Sequence, residues 1–178
     1  MNKFTLILFT ILMNISTSAA FISSNCEEKK DSIALQFEEA ETSFRDMLRD
    51  VESIIEFGNL ESFERKRFRQ AQRIIKCSLF RIKTTRFSCT DRNDDAIAFT
   101  IKWIGISVWA TDSYFNYPHD EQVGFLIHEV THKCGTNDAD YFWTKSPRDV
   151  NQKKWSSIAD TYRWWHHNGV CNPGVDCD

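Results

Sequence analysis

Two histidines that lie four residues apart, His128 and His132, impose the strongest constraint on how this chain can fold. Glu129 lies between them, within a mostly apolar stretch. On an α-helix, side chains at this spacing lie above one another on one face, so both imidazole rings can reach a single metal ion. Glu129 is offset by about 100° around such a helix, beside the ion, where its carboxylate can accept a proton from water. The pattern therefore predicts a buried helix that carries a metal site.

A catalytic zinc ion needs a third protein ligand and leaves a fourth position for water. The chain has no glutamate after Glu129 and no methionine after Met47, which excludes a glutamate on a later helix and a Met-turn beneath the ion. The remaining candidates for the third ligand are Asp138, Asp140, Asp149, Asp160, His166 and His167. Asp138 is favoured over Asp140, because Gly135 allows the chain to reverse after the helix and return towards the metal.

Apolar residues at three- and four-residue spacing predict two long amphipathic helices in the first half of the chain. The first is predicted over 31–57, where Gly58 ends it, and the second over about 60–79. The residues expected to face the core are Ile33, Phe37, Ala40, Phe44, Met47, Val51, Ile54 and Ile55 in the first helix, and Phe63, Phe68, Ala71, Ile74 and Ile75 in the second.

The second half of the chain has a different pattern. β-Branched and aromatic residues cluster in 81–90 and 96–114, and they predict two or three short strands. The helix with the two histidines is predicted from about Asp120 to Cys134, and a last helix from about Pro147 to His167. The expected fold class is therefore α+β and mainly helical, with a small sheet beside the histidine-bearing helix.

Residues 1–20 have the composition of a secretory signal peptide. The apolar run from Phe4 to Met13 is too short to span a bilayer, and small residues follow it. A retained membrane anchor is the alternative interpretation, and the small residues argue against it. The mature chain is expected to begin near Phe21, to be secreted and to lack a membrane anchor.

Residues 21–178 are expected to form a single domain, since their number suffices for one substantial core. Its helical part is predicted over about 31–79 and its catalytic part over about 80–178. The formal net charge of the chain is −3, so no nucleic-acid partner is expected.

Six cysteines follow the signal segment, an even number in a chain expected to be exported. They are Cys26, Cys77, Cys89, Cys134, Cys171 and Cys177. They predict up to three disulfide bonds, whose pairing the sequence leaves open. Cys171 and Cys177 can close a short loop, or either can join Cys134.

The residues from Gly124 to Trp165 resemble the aspzincins, the family of deuterolysin and peptidyl-lysine metalloendopeptidase. The family pattern HExxH followed by GTxDxxYG is similar to His128–His132 followed by Gly135–Tyr141. The family segment NADNYxxF is similar to Ile158–Trp164. Phe142 departs from the pattern, because the family usually has glycine at that position.

This resemblance implies a zincin-like catalytic domain that binds one zinc ion through His128, His132 and Asp138. It also implies that Tyr141 stabilises the oxyanion, and that the chain is a secreted endopeptidase acting on protein or peptide substrates through zinc-activated water. Asp160 is expected either to face a lysine after the scissile bond or to hold a ligand histidine in place.

Two alternatives stay open at this point. A non-catalytic secreted effector or binding protein can retain a zincin scaffold, which the change at Phe142 favours; Glu129, however, has little use in a purely structural metal site. A short metzincin-like peptidase also fits, since the spacing satisfies HExxHxxGxxD; the lack of a downstream methionine argues against it. His166 and His167 are expected to face solvent or to interact with the dipole at a helix end.

Overall fold

The computed structural model describes residues 21–91, 96–100, 106–139, 154–172 and 177. The segment interpreted as a signal peptide lies outside these residues. The described elements are four α-helices and four short strands, with single-turn 3-10 helices between some of them. Within the described part of the chain, no helix has both the length and the apolar character needed to cross a bilayer.

Two long helices, α1 (Lys30–Phe57) and α2 (Ser62–Ile82), pack against each other. The turn between them leads into a capping interaction at the start of α2, where the Glu61 amide donates to Glu64 Oε2 at 2.8 Å. The predicted core residues that are buried are Ile33, Phe37, Ala40, Phe44, Met47, Val51, Phe68, Ala71, Ile74 and Ile75. The prediction for Phe63 is wrong, since this side chain in the first turn of α2 is exposed.

The strands β1 (Phe21–Ile22), β2 (Arg86–Cys89), β3 (Ala98–Thr100) and β4 (Ser107–Ala110) form one sheet in the order β1-β2-β4-β3. The first three in this order run parallel, and β3 runs antiparallel to β4. The sheet contacts the histidine-bearing helix through β3 and β4, which confirms the predicted small sheet beside that helix. The sequence pattern did not predict β1, because a strand of two residues is too short to show an alternation of apolar and polar side chains.

The central element is helix α3 (His119–His132). It is buried continuously from Gln122 onward, because α1, α2, α4 and the sheet all contact it. Helix α4 (Ala159–Asn168) is shorter than predicted. Residues 155–157 form a 3-10 turn, and Ile158 has an extended backbone that pairs with Asn137. Within the described residues, this turn and bridge take the place of the part of the predicted last helix that precedes Ala159, and residues 147–153 of the prediction lie outside the described residues.

A buried polar network fixes α3 against α1. Gln36 Nε2 donates to Gln122 Oε1 at 2.6 Å, and the Tyr114 hydroxyl lies 2.8 Å from Gln36 Oε1. Gln122 Nε2 in turn donates to the Tyr117 carbonyl at 2.7 Å. Since buried polar groups cost free energy unless they are paired, this network favours one register of the two helices.

Three disulfide bonds are present, and they resolve the pairing that the sequence left open. Cys26 pairs with Cys89, Cys77 with Cys134, and Cys171 with Cys177. The second bond joins α2 to the turn directly after α3. It therefore holds the end of the helix that carries the two histidines.

Replacing Cys77 and Cys134 together with alanine is expected to lower the free energy of unfolding by about 4 kcal/mol, through loop entropy in the unfolded chain. The two cysteines are 57 residues apart. The matched double substitution of Cys171 and Cys177, which are 6 residues apart, should cost only about 2 kcal/mol. Urea unfolding under non-reducing conditions measures both. A larger loss from the short loop would contradict this ranking.

Candidate metal centre

The last turn of α3 brings two imidazole rings together, as the four-residue spacing predicts. The Nε2 atoms of His128 and His132 lie 3.2 Å apart, and both side chains are buried. Because the helix continues without interruption to His132, both rings project from the same face. These two Nε2 atoms face each other, and they are the atoms that would bind a metal ion.

The turn after α3 returns the chain towards these rings. Gly135 has a φ of 98°, a left-handed conformation that favours glycine, and its amide donates to the His132 carbonyl at 3.2 Å. The next residues are fixed by a short bridge to the segment before α4. The Asn137 amide donates to Ser157 O at 2.9 Å, and the Ala159 amide donates to Asn137 O at 3.0 Å.

This bridge positions Asp138 opposite both histidines. Its Oδ1 lies 3.0 Å from His128 Nε2 and 2.8 Å from His132 Nε2. Two nitrogens and one oxygen thus converge within 3.2 Å of one another. Among the candidates that the structure describes, Asp138 is the one whose carboxylate faces both Nε2 atoms.

The three atoms fit a zinc ion. Tetrahedral bonds of about 2.0–2.2 Å place ligand atoms roughly 3.3–3.5 Å apart. The observed separations of 2.8–3.2 Å require the three groups to move apart only slightly. Two imidazoles and one carboxylate also form a donor set that suits zinc and leaves a coordination position for water.

Polar partners behind the rings determine their orientation. Asp160 Oδ1 lies 3.3 Å from His128 Nδ1, and the Thr136 carbonyl lies 3.2 Å from His132 Nδ1. With a proton on each Nδ1, both Nε2 atoms present a lone pair to the same point. Thr136 was missed by the sequence interpretation, although it occupies the second position of the GT motif.

Glu129 lies beside the same group of atoms. One of its carboxylate oxygens lies within 4.8 Å of a ring nitrogen of each histidine, and its side chain is buried. Burial raises the pKa of the Glu129 carboxyl, against the lowering effect of His128 and His132. A carboxylate with a raised pKa takes up a proton more readily than an ordinary exposed glutamate does, which suits a general base.

The charges of the centre are tightly coupled. Burial lowers the pKa of His128, but hydrogen bonds to Asp138 and Asp160 outweigh this effect and raise it to about 9. Burial would raise the pKa of Asp138, yet its contacts with His128 and His132 hold that pKa well below its usual range. The carboxylates of Asp138 and Asp160 therefore stabilise positive charge at His128, which lies between them. A bound divalent cation can supply that charge in place of the proton.

The structure separates the other candidates for the third ligand. Asp160 is 1% exposed and faces the ring nitrogen of His128 that points away from Asp138. His166 and His167 contact Asp120, at the opposite end of α3. Their side chains are mostly buried, so the solvent-facing alternative is wrong, whereas an interaction with the dipole at the end of α4 stays a prediction. Asp140 and Asp149 lie outside the described residues, as do Tyr141 and Phe142.

Comparison with known proteins supports the fold. No protein-family model matches the chain, and no curated protein matches it in sequence. Among solved structures, the chain is similar to a zinc peptidase from Grifola frondosa. The two share 19% sequence identity, and the similarity covers 82% of this chain and 96% of that chain with a TM-score of 0.62. The predicted mainly helical α+β fold is thereby confirmed, and the chain shares it with that zinc peptidase.

Substitution of Asp138 by asparagine is expected to weaken zinc binding more than substitution of Asp160, because only Asp138 faces both Nε2 atoms. Asp160→Asn should raise the dissociation constant roughly 10–100-fold, as the loss of an outer hydrogen-bond partner does. Competition with a chelator of known affinity measures both. Asp140→Asn is the matched control and should bind zinc normally; a stronger effect there than at Asp138 would refute the ligand assignment.

Zinc affinity is also expected to rise with pH. Below the raised pKa of about 9, His128 carries a proton that the ion must displace, whereas above it the proton is already lost. The apparent affinity should therefore increase by about tenfold per pH unit between pH 7 and pH 8. Chelator competition at several pH values tests this, and a constant affinity over that range would contradict it.

Proposed function

We propose that the chain is a zinc-dependent endopeptidase that hydrolyses peptide bonds in protein or peptide substrates. The observation that carries this proposal is the convergence of His128 Nε2, His132 Nε2 and Asp138 Oδ1 beside the buried carboxylate of Glu129. A structural zinc site is normally closed by a fourth protein ligand, whereas a catalytic site pairs three ligands with a base.

The two histidines and Asp138 would hold the ion. When bound, zinc supplies Lewis-acid polarisation of the scissile carbonyl and lowers the pKa of water. The Glu129 carboxylate accepts the proton of the attacking water and then donates it to the leaving amine. Asp160 and Thr136 keep the rings of His128 and His132 in the orientation that this chemistry needs.

The contact between Asp160 and the His128 ring favours a role in holding that ring in place over a direct contact with substrate. Its side chain is almost completely buried, and Arg163 Nη1 lies 3.6 Å from the same oxygen that faces His128. A preference for lysine after the scissile bond stays a prediction from the family resemblance, and it requires a carboxylate more accessible than this one.

Two further parts of the proposal depend on the sequence. Tyr141 would donate a hydrogen bond to the oxyanion, a role implied by the GTxDxxY resemblance. Secretion as a mature domain over 21–178 follows from the apolar composition of residues 1–20. Three disulfide bonds support it, since such bonds persist in oxidising compartments.

Substitution of Glu129 by glutamine tests the catalytic role directly. The change removes the base and keeps the size of the side chain, so hydrolysis of an unfolded protein or a quenched-fluorescence peptide should fall by roughly 10²–10⁴-fold. Zinc content and unfolding temperature should stay within the range of the unsubstituted protein. Both are measured on the same preparations.

Glu56→Gln is the matched control, because Glu56 is an exposed glutamate at the end of α1. It should leave the hydrolysis rate unchanged. Zinc-loaded protein that cleaves no unfolded substrate, with or without Glu129, would instead favour a non-catalytic binding protein on the same scaffold.

A further inference from the structure

A second cluster of metal-ligating side chains lies at the other end of α3. It consists of Asp120 in the first turn of α3 and of His166 and His167 in the last turn of α4. One side-chain nitrogen or oxygen atom of each lies within 4.8 Å of the corresponding atoms of the other two. Asp120 and His128 are separated by roughly 12 Å along the helix axis, given a rise of about 1.5 Å per residue. The two groups are therefore separate.

One carboxylate faces both rings of this cluster. Asp120 Oδ1 lies 3.1 Å from His166 Nε2, and Asp120 Oδ2 lies 2.8 Å from His167 Nδ1. Neighbouring residues on a helix point about 100° apart, so two adjacent histidines rarely face one group. Here the aspartate comes from a second helix and bridges the angle between them.

The cluster leaves imidazole nitrogens without hydrogen bonds. The Nε2 atoms of His166 and His167 are both buried, and within the described part of the chain neither makes a hydrogen bond. A buried polar atom without a partner costs free energy. A cation beside Asp120 would remove this cost for His166 Nε2, whereas His167 faces Asp120 through its Nδ1 atom. The short distance from His166 Nε2 to Asp120 thus lacks the geometry of a hydrogen bond.

The surrounding residues fix both rings. Ser43 Oγ lies 3.0 Å from His166 Nδ1, so that a proton on Nδ1 leaves a lone pair on Nε2. Gly124 provides space for the other ring, because a Cβ at this position would lie 2.8 Å from His167 Nε2. Rings that are oriented before binding are what a metal site needs.

We propose that Asp120, His166 and His167 form a second site for a divalent transition-metal ion of the zinc class. Two imidazoles and a carboxylate are a donor set for such ions, and they do not suit calcium or magnesium. An ion at this site would join the start of α3 to the end of α4. These are the two helices that carry the catalytic histidines and Asp160.

A route to the site is present on the surface. A groove of about 650 Å³ passes His166 between α1 and the end of α4. Four carboxylates and a single arginine are among its lining residues: Glu38, Glu39, Asp46, Asp50 and Arg49. The excess of negative charge attracts cations towards His166.

Zinc counting tests the proposal. The full chain, produced without a histidine tag and stripped with a chelator, is loaded with Zn²⁺, and the bound ions are counted by native mass spectrometry. We expect two ions in the unsubstituted protein and one in the variant His166→Gln/His167→Gln. The variant His128→Gln/His132→Gln should also bind one, and the combination of all four substitutions none.

His119→Gln is the matched control, because His119 begins α3 but pairs with Glu39 outside the cluster. It should keep both ions. Ser43→Ala should weaken the second ion roughly 10–100-fold, as the loss of an outer partner does. This effect distinguishes an oriented site from adventitious binding to surface histidines, which Ser43 would not influence.

The two sites fail independently in this design. A single ion in the unsubstituted protein that His128→Gln/His132→Gln removes would overturn the second site and leave the proposed peptidase intact. A single ion that His166→Gln/His167→Gln removes would support the second site and refute the catalytic centre. If the latter variant does not fold, the count on His128→Gln/His132→Gln alone decides: one ion supports the second site and none refutes it.

Discussion

The burial of α3 is the constraint on which the rest of the structure depends. This helix carries His128, Glu129 and His132 into the interior, where unpaired polar groups are costly. The cost is offset by partners from two other segments: the turn after α3 supplies Thr136 and Asp138, and α4 supplies Asp160. One of the elements that enclose α3, the helix α4, therefore also contributes a side chain to the candidate site.

Restraints at both ends of α3 hold it in this position. At its start, the network of Gln36, Tyr114 and Gln122 ties it to α1. At its end, the bond between Cys77 and Cys134 ties the following turn to α2. The rings of His128 and His132 lie near the disulfide end, where a covalent bond between the two segments restrains the backbone. Such rigidity suits a centre whose donor atoms must converge within a few tenths of an ångström.

The sequence predicts well those features that depend on local spacing. The convergence of the two histidines follows from helix geometry, and the return of Asp138 follows from the conformational freedom of Gly135.

Features that depend on pairing between distant segments cannot be predicted from local spacing. The bridge between Asn137 and Ile158 explains why residues 155–158 are not α-helical as predicted, because an apolar helical pattern does not indicate a strand-like pairing partner. Likewise, the choice between two roles for Asp160 needs its burial, which depends on how α4 packs on α3. The position of His166 and His167 against Asp120 could not be predicted, since adjacent residues on a helix normally diverge.

The bridge between Asn137 and Ile158 has a consequence for how this scaffold can vary. Asn137 is held on both sides of its peptide unit, because its amide donates to Ser157 O and its carbonyl accepts from the Ala159 amide. Asp138 directly follows Asn137, and Asp160 directly follows Ala159. A change in length within 157–159 would therefore displace both carboxylates relative to His128 at once.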